Sequence, residues 1–207
     1  MNRTDIINFY ANKIEAKSYL EIGVRLADEN FSHIKVPFKT GVDPGIEGYS
    51  EGTHKMTSDD FFKQNKDTFD LIFIDGLHES EQVLRDINSS LNILNNNGII
   101  ICHDMNPKIK EHQLLKEDPL RIKYVEEQRK LKNIGYELWT GDCWKAFAIL
   151  RSTRSDLEMF VIDTDFGVGV IKRGNQQIIS IPEELTYEYL ELNREMLLNL
   201  KTIKHYE

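Results

Sequence analysis

The chain has 207 residues, 40% of them hydrophobic and 29% charged, with a formal charge of −8 and a pI near 5.3. That balance argues against a nucleic-acid partner, whose phosphates call for a basic face, and leaves only a local basic cluster at Lys108, Lys110 and Lys116. No run of about 18 apolar residues offers a membrane span, and MNRTDIINFY lacks the layout of a signal peptide, so the cytoplasm is the expected compartment. Cys102 and Cys143 have no CxxC spacing, which excludes a zinc knuckle or a disulfide framework; both are read as reduced, with Cys102 buried.

Ile6, Ile7, Phe9, Tyr10 and Ile14 follow helical spacing, with Thr4 as the expected amino-terminal cap. SYLEIGV, from Ser18 to Val24, reads as a strand, and a second runs from Phe38 to Val42 until the turn DPG stops it. SDDFFKQN predicts a short helix capped by Ser58, and Leu71 to Asp75 (LIFID) a buried central strand. Val83, Leu84, Ile87, Leu91 and Leu94 mark one face of a helix over Glu79 to Leu94; NNNG breaks it and GIIICHD starts another buried strand. Alternating strands and helices imply a parallel sheet with right-handed crossovers.

Lys108 to Lys132, interrupted at Pro119, is charged and helix-prone, and is expected to form an inserted helical cover over about 108–133. YELWT, WKAFAILR, LEMFVID and GVGVIKR read as β-rich segments that complete the sheet, partly antiparallel. Pro182 to Lys204 has helical spacing and is expected to cover the sheet or a partner copy in a homo-oligomer. The expected architecture is one α/β domain over 1–207: a Rossmann-like, doubly wound, mostly parallel sheet with an antiparallel edge.

In such a sheet ligands bind beyond the carboxyl ends of the strands. Those ends carry Glu21 and Gly23, then Asp43, Asp75, and His103 with Asp104. Gly23 allows close backbone approach, and Asp43, 20 residues later, can accept hydrogen bonds from both hydroxyls of a ribose.

Tyr19 to Pro107, above all FDLIFIDGLH and NNNGIIICHDMNP, resembles the class I S-adenosylmethionine (SAM) dependent methyltransferases. The resemblance implies that Glu21 and Gly23 face the methionine part of SAM, that Asp43 holds its ribose, and that Ser58 and Asp59 in KMTSDDFF lie near its adenine. The later glycine of the family's first loop is replaced around Arg25 to Ala27. IDGLH, HDMNP, GDCWKAF and DTDFGVGV resemble small bacterial methyltransferases of surface sugars and secondary metabolites. They imply a small-molecule acceptor, sugar-containing, and a place in capsule or polysaccharide biosynthesis.

His78, three residues past Asp75, has an imidazole suited to act as general base toward a hydroxyl. Asp75, His103 and Asp104 resemble the metal positions of magnesium-dependent O-methyltransferases, where magnesium or another divalent cation would orient an acceptor hydroxyl. His103 departs from that pattern, since magnesium prefers oxygen ligands. Without metal, Asp75 would line the SAM pocket or hold a catalytic histidine, and His103 and Asp104 would bind acceptor hydroxyls. An N-methyltransferase fits the same fold; an NAD-dependent oxidoreductase lacks GxGxxG here. Trp144 reads as a strand-start core residue, and Asp163 and Asp165 as turn residues before a hairpin.

Overall fold

The computed structural model describes residues 1–46, 48, 50–132 and 139–203. Six strands form one sheet: β1 (Ser18–Ile22), β2 (Phe38–Val42), β3 (Phe69–Ile74), β4 (Leu94–Cys102), β5 (Leu157–Ile162) and β6 (Val168–Arg173). Their order is β2-β1-β3-β4-β6-β5. β1 pairs in parallel with β2 and β3, and β3 with β4, while β6 is antiparallel to both β4 and β5. The expected mostly parallel sheet with an antiparallel edge is therefore present, and chain direction switches outward on either side of β1 and β3, where a doubly wound sheet opens its ligand crevice.

Among the described residues seven α-helices accompany it: α1 (Arg3–Lys13), α2 (Ser58–Gln64), α3 (Ser80–Ile93), α4 (Lys110–Gln113), α5 (Pro119–Lys132), α6 (Trp144–Thr153) and α7 (Tyr187–Leu198). Strand side chains alternate between faces. Leu20, Ile22, Ile72, Ile74, Ile100 and Cys102 join a core with residues of α2, α3, α6 and α7. Tyr19, Leu71, Phe73, Ile99 and Ile101 join a second core with Ile6, Ile7, Tyr10 and Ala11 of α1. Leu71, Ile72 and Phe73 are fully buried, each contributing on the order of 1.5–3 kcal/mol relative to exposure. Burial on both faces is why the central strands read as continuous apolar runs rather than alternating ones.

Several local expectations are corrected. Asn2, not Thr4, caps α1: its side chain accepts from Asp5 N at 3.0 Å and Asp5 returns a carboxylate to Asn2 N at 2.9 Å, a capping box. Thr57, not Ser58, caps α2 by accepting from Asp60 N at 3.2 Å. NNNG does not separate helix from strand. β4 begins at Leu94, and a register shift between its pairing with Phe69 and with Leu71 absorbs the asparagines as a bulge. WKAFAILR is helix α6, not a strand; Trp144 opens it, fully buried, and donates to Gln113 Oε1 of α4 at 2.7 Å. The carboxyl-terminal helix is shorter than Pro182 to Lys204. Thr186 caps it by accepting from Tyr189 N at 3.2 Å, and Asn199 ends it in the left-handed region at φ 45°. The cover is present as α4 and α5, with Pro119 as the first residue of α5 rather than a break within it. Of YELWT, only Trp139 and Thr140 lie within the described residues. Both cysteines are buried thiols, pushed up by burial.

Candidate active site

Backbone hydrogen bonds tie four strand ends together: Gly23 N donates to Val42 O at 2.8 Å, Asp75 N to Ile22 O at 2.9 Å and His103 N to Ile74 O at 3.0 Å. Gly23 is required by this junction. Its φ is +98° and a Cβ there would lie 2.0 Å from the Asp75 carbonyl oxygen, so the β1 and β3 ends meet too closely for any side chain.

Asp75, His78, His103 and Asp104, predicted from strand-end position alone, come together. His78 lies between two carboxylates, with Nε2 3.5 Å from Asp75 Oδ1 and Nδ1 3.3 Å from Asp104 Oδ2. The Nδ1 of His103 is 3.3 Å from the same two oxygens. The imidazoles differ in access: the His103 side chain is 5% exposed and that of His78 21%. His78 therefore faces the opening, while His103 sits behind the carboxylates. Asp104 reaches the cluster from a left-handed backbone, φ 63°, a conformation non-glycine residues hold only when their surroundings compel it.

Two further groups enter that sequence reasoning missed. Arg3, the first residue of α1, brings Nε to 3.8 Å from Asp75 Oδ2, and Asp165 Oδ2 lies 3.7 Å from His103 Nε2. Asp165 had a weak signal in the DTD triplet; Arg3 had none, because only the fold brings the amino terminus to the strand ends.

Burial alone would raise Asp75, but His103, His78 and Arg3 outweigh it and hold its carboxyl well below the usual range. Burial pulls both imidazoles down, and the carboxylates overcome it. Asp104 and Asp75 raise His78, and these two with Asp165 lift His103 well above the ordinary range.

The other predicted residues are more dispersed. Glu21 shares a face of β1 with Tyr19, where it accepts hydrogen bonds from the Tyr19 hydroxyl and from Asn30 Nδ2. Burial pushes it up to about 7. Asp43 follows β2, and its Oδ1 accepts from Gly45 N at 2.6 Å in an Asx turn. Ser58 and Asp59 open α2 against α3, both accepting from Gln82 Nε2. The basic trio is engaged: Lys108 pairs with Asp163, Lys110 with Glu188, and Lys116 lies over the Trp139 ring.

A wall of the site comes from the segment before α6. Trp139 stacks on His78 with ring centroids 4.7 Å apart and planes inclined by 25°, its indole donating to Leu114 O at 2.9 Å. The guanidinium of Arg121 lies 4.8 Å over the same indole.

Asp75, His78 and Asp104 each offer a ligand atom, and these atoms lie within 4.8 Å of one another. Two carboxylates and an imidazole can hold a divalent cation, a mixed oxygen and nitrogen set better matched to a borderline metal than to magnesium. The sequence expectation put His103 with Asp75 and Asp104 in such a set; its Nδ1 lies 3.3 Å from one oxygen of each carboxylate.

Residues 20–105 match a protein family described as a methyltransferase domain. The fold is similar to that of an SAH-bound methyltransferase from Podospora anserina, with TM-score 0.54 and 15% identity over 84% of this chain and 78% of the other. It is similar to the O-methyltransferase TomG of Streptomyces achromogenes, involved in tomaymycin synthesis and solved with SAM: TM-score 0.52, 10% identity, 84% and 80% covered. An O-methyltransferase from Bacillus cereus in complex with SAH gives TM-score 0.51 and 12% identity over 83% and 80%. No curated protein matches the chain in sequence. These neighbours share the Rossmann-like fold of this chain, and the family match covers its first four strands.

Proposed function

We propose that the chain transfers the methyl group of SAM to a hydroxyl of a small polar, sugar-containing acceptor, with His78 as general base. The observation that carries this reading is the placement of His78, partly open at the ends of β3 and β4 with a carboxylate at each ring nitrogen. SAM supplies an electrophilic methyl group. The Gly23 turn and Asp43 would hold its methionine and ribose parts, and the residues following Thr57 its adenine. Methyl transfer is an in-line displacement, so alignment lowers most of the barrier. Neutral His78 takes the hydroxyl proton on Nε2, which must turn from Asp75 toward the acceptor, as the oxygen attacks the methyl carbon and the sulfonium S–C bond breaks to release SAH; Asp104 at Nδ1 orients the ring and stabilises the imidazolium that forms. An amine acceptor would need less help, and two carboxylates around one accessible histidine favour the hydroxyl.

The cluster of donor atoms favours a second reading, in which Asp75, His78 and Asp104 hold a divalent cation that would orient and acidify the hydroxyl.

Calorimetric titration with SAH, followed by a screen of sugar acceptors with and without EDTA, tests these readings. Asp43→Ala is expected to weaken SAH binding at least about tenfold, the loss of one ligand hydrogen-bonding group. His78→Gln is expected to keep SAH binding and lose about 10²-fold or more in turnover. Turnover that survives EDTA selects the base reading, turnover abolished by EDTA selects the metal, and absence of SAH binding by the folded wild type overturns both.

A further inference from the structure

His103 is more deeply buried than a group that meets an acceptor should be, yet it touches both carboxylates that flank His78. Its Nε2 is buried without a hydrogen-bond partner within 3.5 Å, a costly state for a ring N–H. The carboxylate facing it at 3.7 Å belongs to Asp165. We infer that Asp165, itself held by the backbone N–H of Arg3, is a positioning residue that fixes the ring of His103 and through it the spacing of Asp75 and Asp104 about His78. This rests on the reading of that cluster as the reaction centre.

The contacts close into a ring. Asp165 Oδ2 accepts from Arg3 N at 2.8 Å and faces His103, His103 meets Asp75, and Asp75 meets the Arg3 guanidinium at 3.8 Å. Four segments distant in sequence are thereby locked: the start of α1, the ends of β3 and β4, and the turn before β6. That turn is held in an unfavourable backbone. Asp165 and Phe166 are both left-handed, at φ 46° and 59°, which costs on the order of 1–2 kcal/mol for each non-glycine residue. The strain is maintained by hydrogen bonds onto the chain just past Asp104: Met105 N to Gly167 O at 3.0 Å and Asn106 N to Phe166 O at 2.7 Å. Gly167 N donates to Thr164 O at 2.7 Å across the two left-handed residues, the geometry of a type I′ hairpin turn, and this turn carries the Asp165 carboxylate to the buried imidazole. Asp163, two residues earlier, instead pairs with Lys108 and accepts from Asn106 Nδ2 at 2.9 Å. Only one of the two aspartates serves the cluster.

The test is nitrogen-edited NMR of protein labelled in its histidine rings, with His103→Gln used for assignment and SAH titration run in parallel. Wild type is expected to show a slowly exchanging His103 Nε2–H signal. Asp165→Asn should lose that signal and shift the ring resonances of His78, while Asp163→Asn should leave both in place. Two variants at position 3 probe the latch without touching Asp165. Arg3→Ala removes the guanidinium but keeps the backbone donor, so the His103 Nε2–H signal should persist. Arg3→Pro also removes the N–H; proline is tolerated at the first helical position after an extended residue, and Asn2 is extended at ψ −177°, so α1 should form and the signal should be lost. All four variants should bind SAH like the wild type, which separates this outcome from failure of the methyltransferase reading. His103 and His78 resonances that are unmoved in both Asp165→Asn and Arg3→Pro would overturn the inference.

Discussion

Two regions that face each other across the candidate site carry charge in opposite ways. Around the ends of β3 and β4, three carboxylates, two imidazoles and one guanidinium are buried or partly buried and balanced against one another. Over the cover, charge is paired in the open: Lys108 with Asp163, Lys110 with Glu188 at 2.6 Å and Lys123 with Glu127 at 4.0 Å, all with exposed side chains. Exposed pairs contribute little and tolerate substitution, whereas a buried charge that loses its partner is costly. The strand ends are thus constrained atom by atom, and the cover is free to diverge in charge provided its few docking points hold. The segment before α6 joins the two regions: Trp139 stacks on His78 and donates to Leu114 O, and Gly141 and Asp142 pack against the start of α3 and the loop before it.

Breaking the docking should have the largest effect. Gly141 has φ +56°, and a Cβ there would lie 1.7 Å from the His78 carbonyl oxygen. Gly141→Ala combines a left-handed non-glycine residue with a backbone clash, together about 2–5 kcal/mol of destabilisation. Urea unfolding measures it; a variant within about 0.5 kcal/mol of wild type, the range of an ordinary surface substitution, would show that the segment before α6 and the loop carrying His78 are not packed this closely.

The strand-end region can be probed without touching the cover. Glu21 has its pKa raised by burial from 4.5 to about 7, so the folded form holds a proton more tightly than the unfolded form. Its contribution to stability is fully present below 4.5 and is lost as pH rises through about 7. The shift corresponds to roughly 3 kcal/mol as an upper figure. Glu21→Gln keeps one acceptor oxygen for Tyr19 and Asn30 and removes the titration, so it should stabilise the chain at pH 8 by up to that amount and leave pH 5 nearly unchanged. Equal gains at both pH values would show that Glu21 is not a buried acid.

The same contrast explains what the sequence made legible. Residues at the ends of β1 to β4 are placed by topology, so recognising the apolar runs was enough to gather Asp75, His78, His103 and Asp104. Elements shaped by distant contacts were not readable. Trp144, Ala146, Phe147, Ala148 and Leu150 are all buried, which erases the polar stripe by which a helix is distinguished from a strand. Asn95 to Asn97 look like a helix stop, yet Asn95 donates to Asp70 Oδ1 at 2.7 Å within a bulged strand. Arg3 and Asp165 meet the cluster through each other, through Asp75 and through His103, a relation no local pattern carries.

Asp142 shows this most simply and gives the smallest effect. Helix α3 starts at Ser80, and the residue before it, Glu79, makes no side-chain cap. The missing acceptor comes from 62 residues away: Asp142 Oδ1 takes Ser80 N at 2.7 Å and its Oδ2 takes Ser80 Oγ at 3.1 Å. A carboxylate at a helix amino terminus satisfies an orphan N–H and complements the helix dipole. Asp142→Ala should therefore cost about 1 kcal/mol, as loss of an ordinary cap does, while Asp142→Asn, which retains an acceptor, should cost less. Because this cap also fixes the loop carrying His78, Asp142→Ala should speed amide exchange at Ser80 and Glu81 more than at Ile87 in mid-helix. Uniform exchange along α3 would mean that the segment before α6 does not hold the start of the helix.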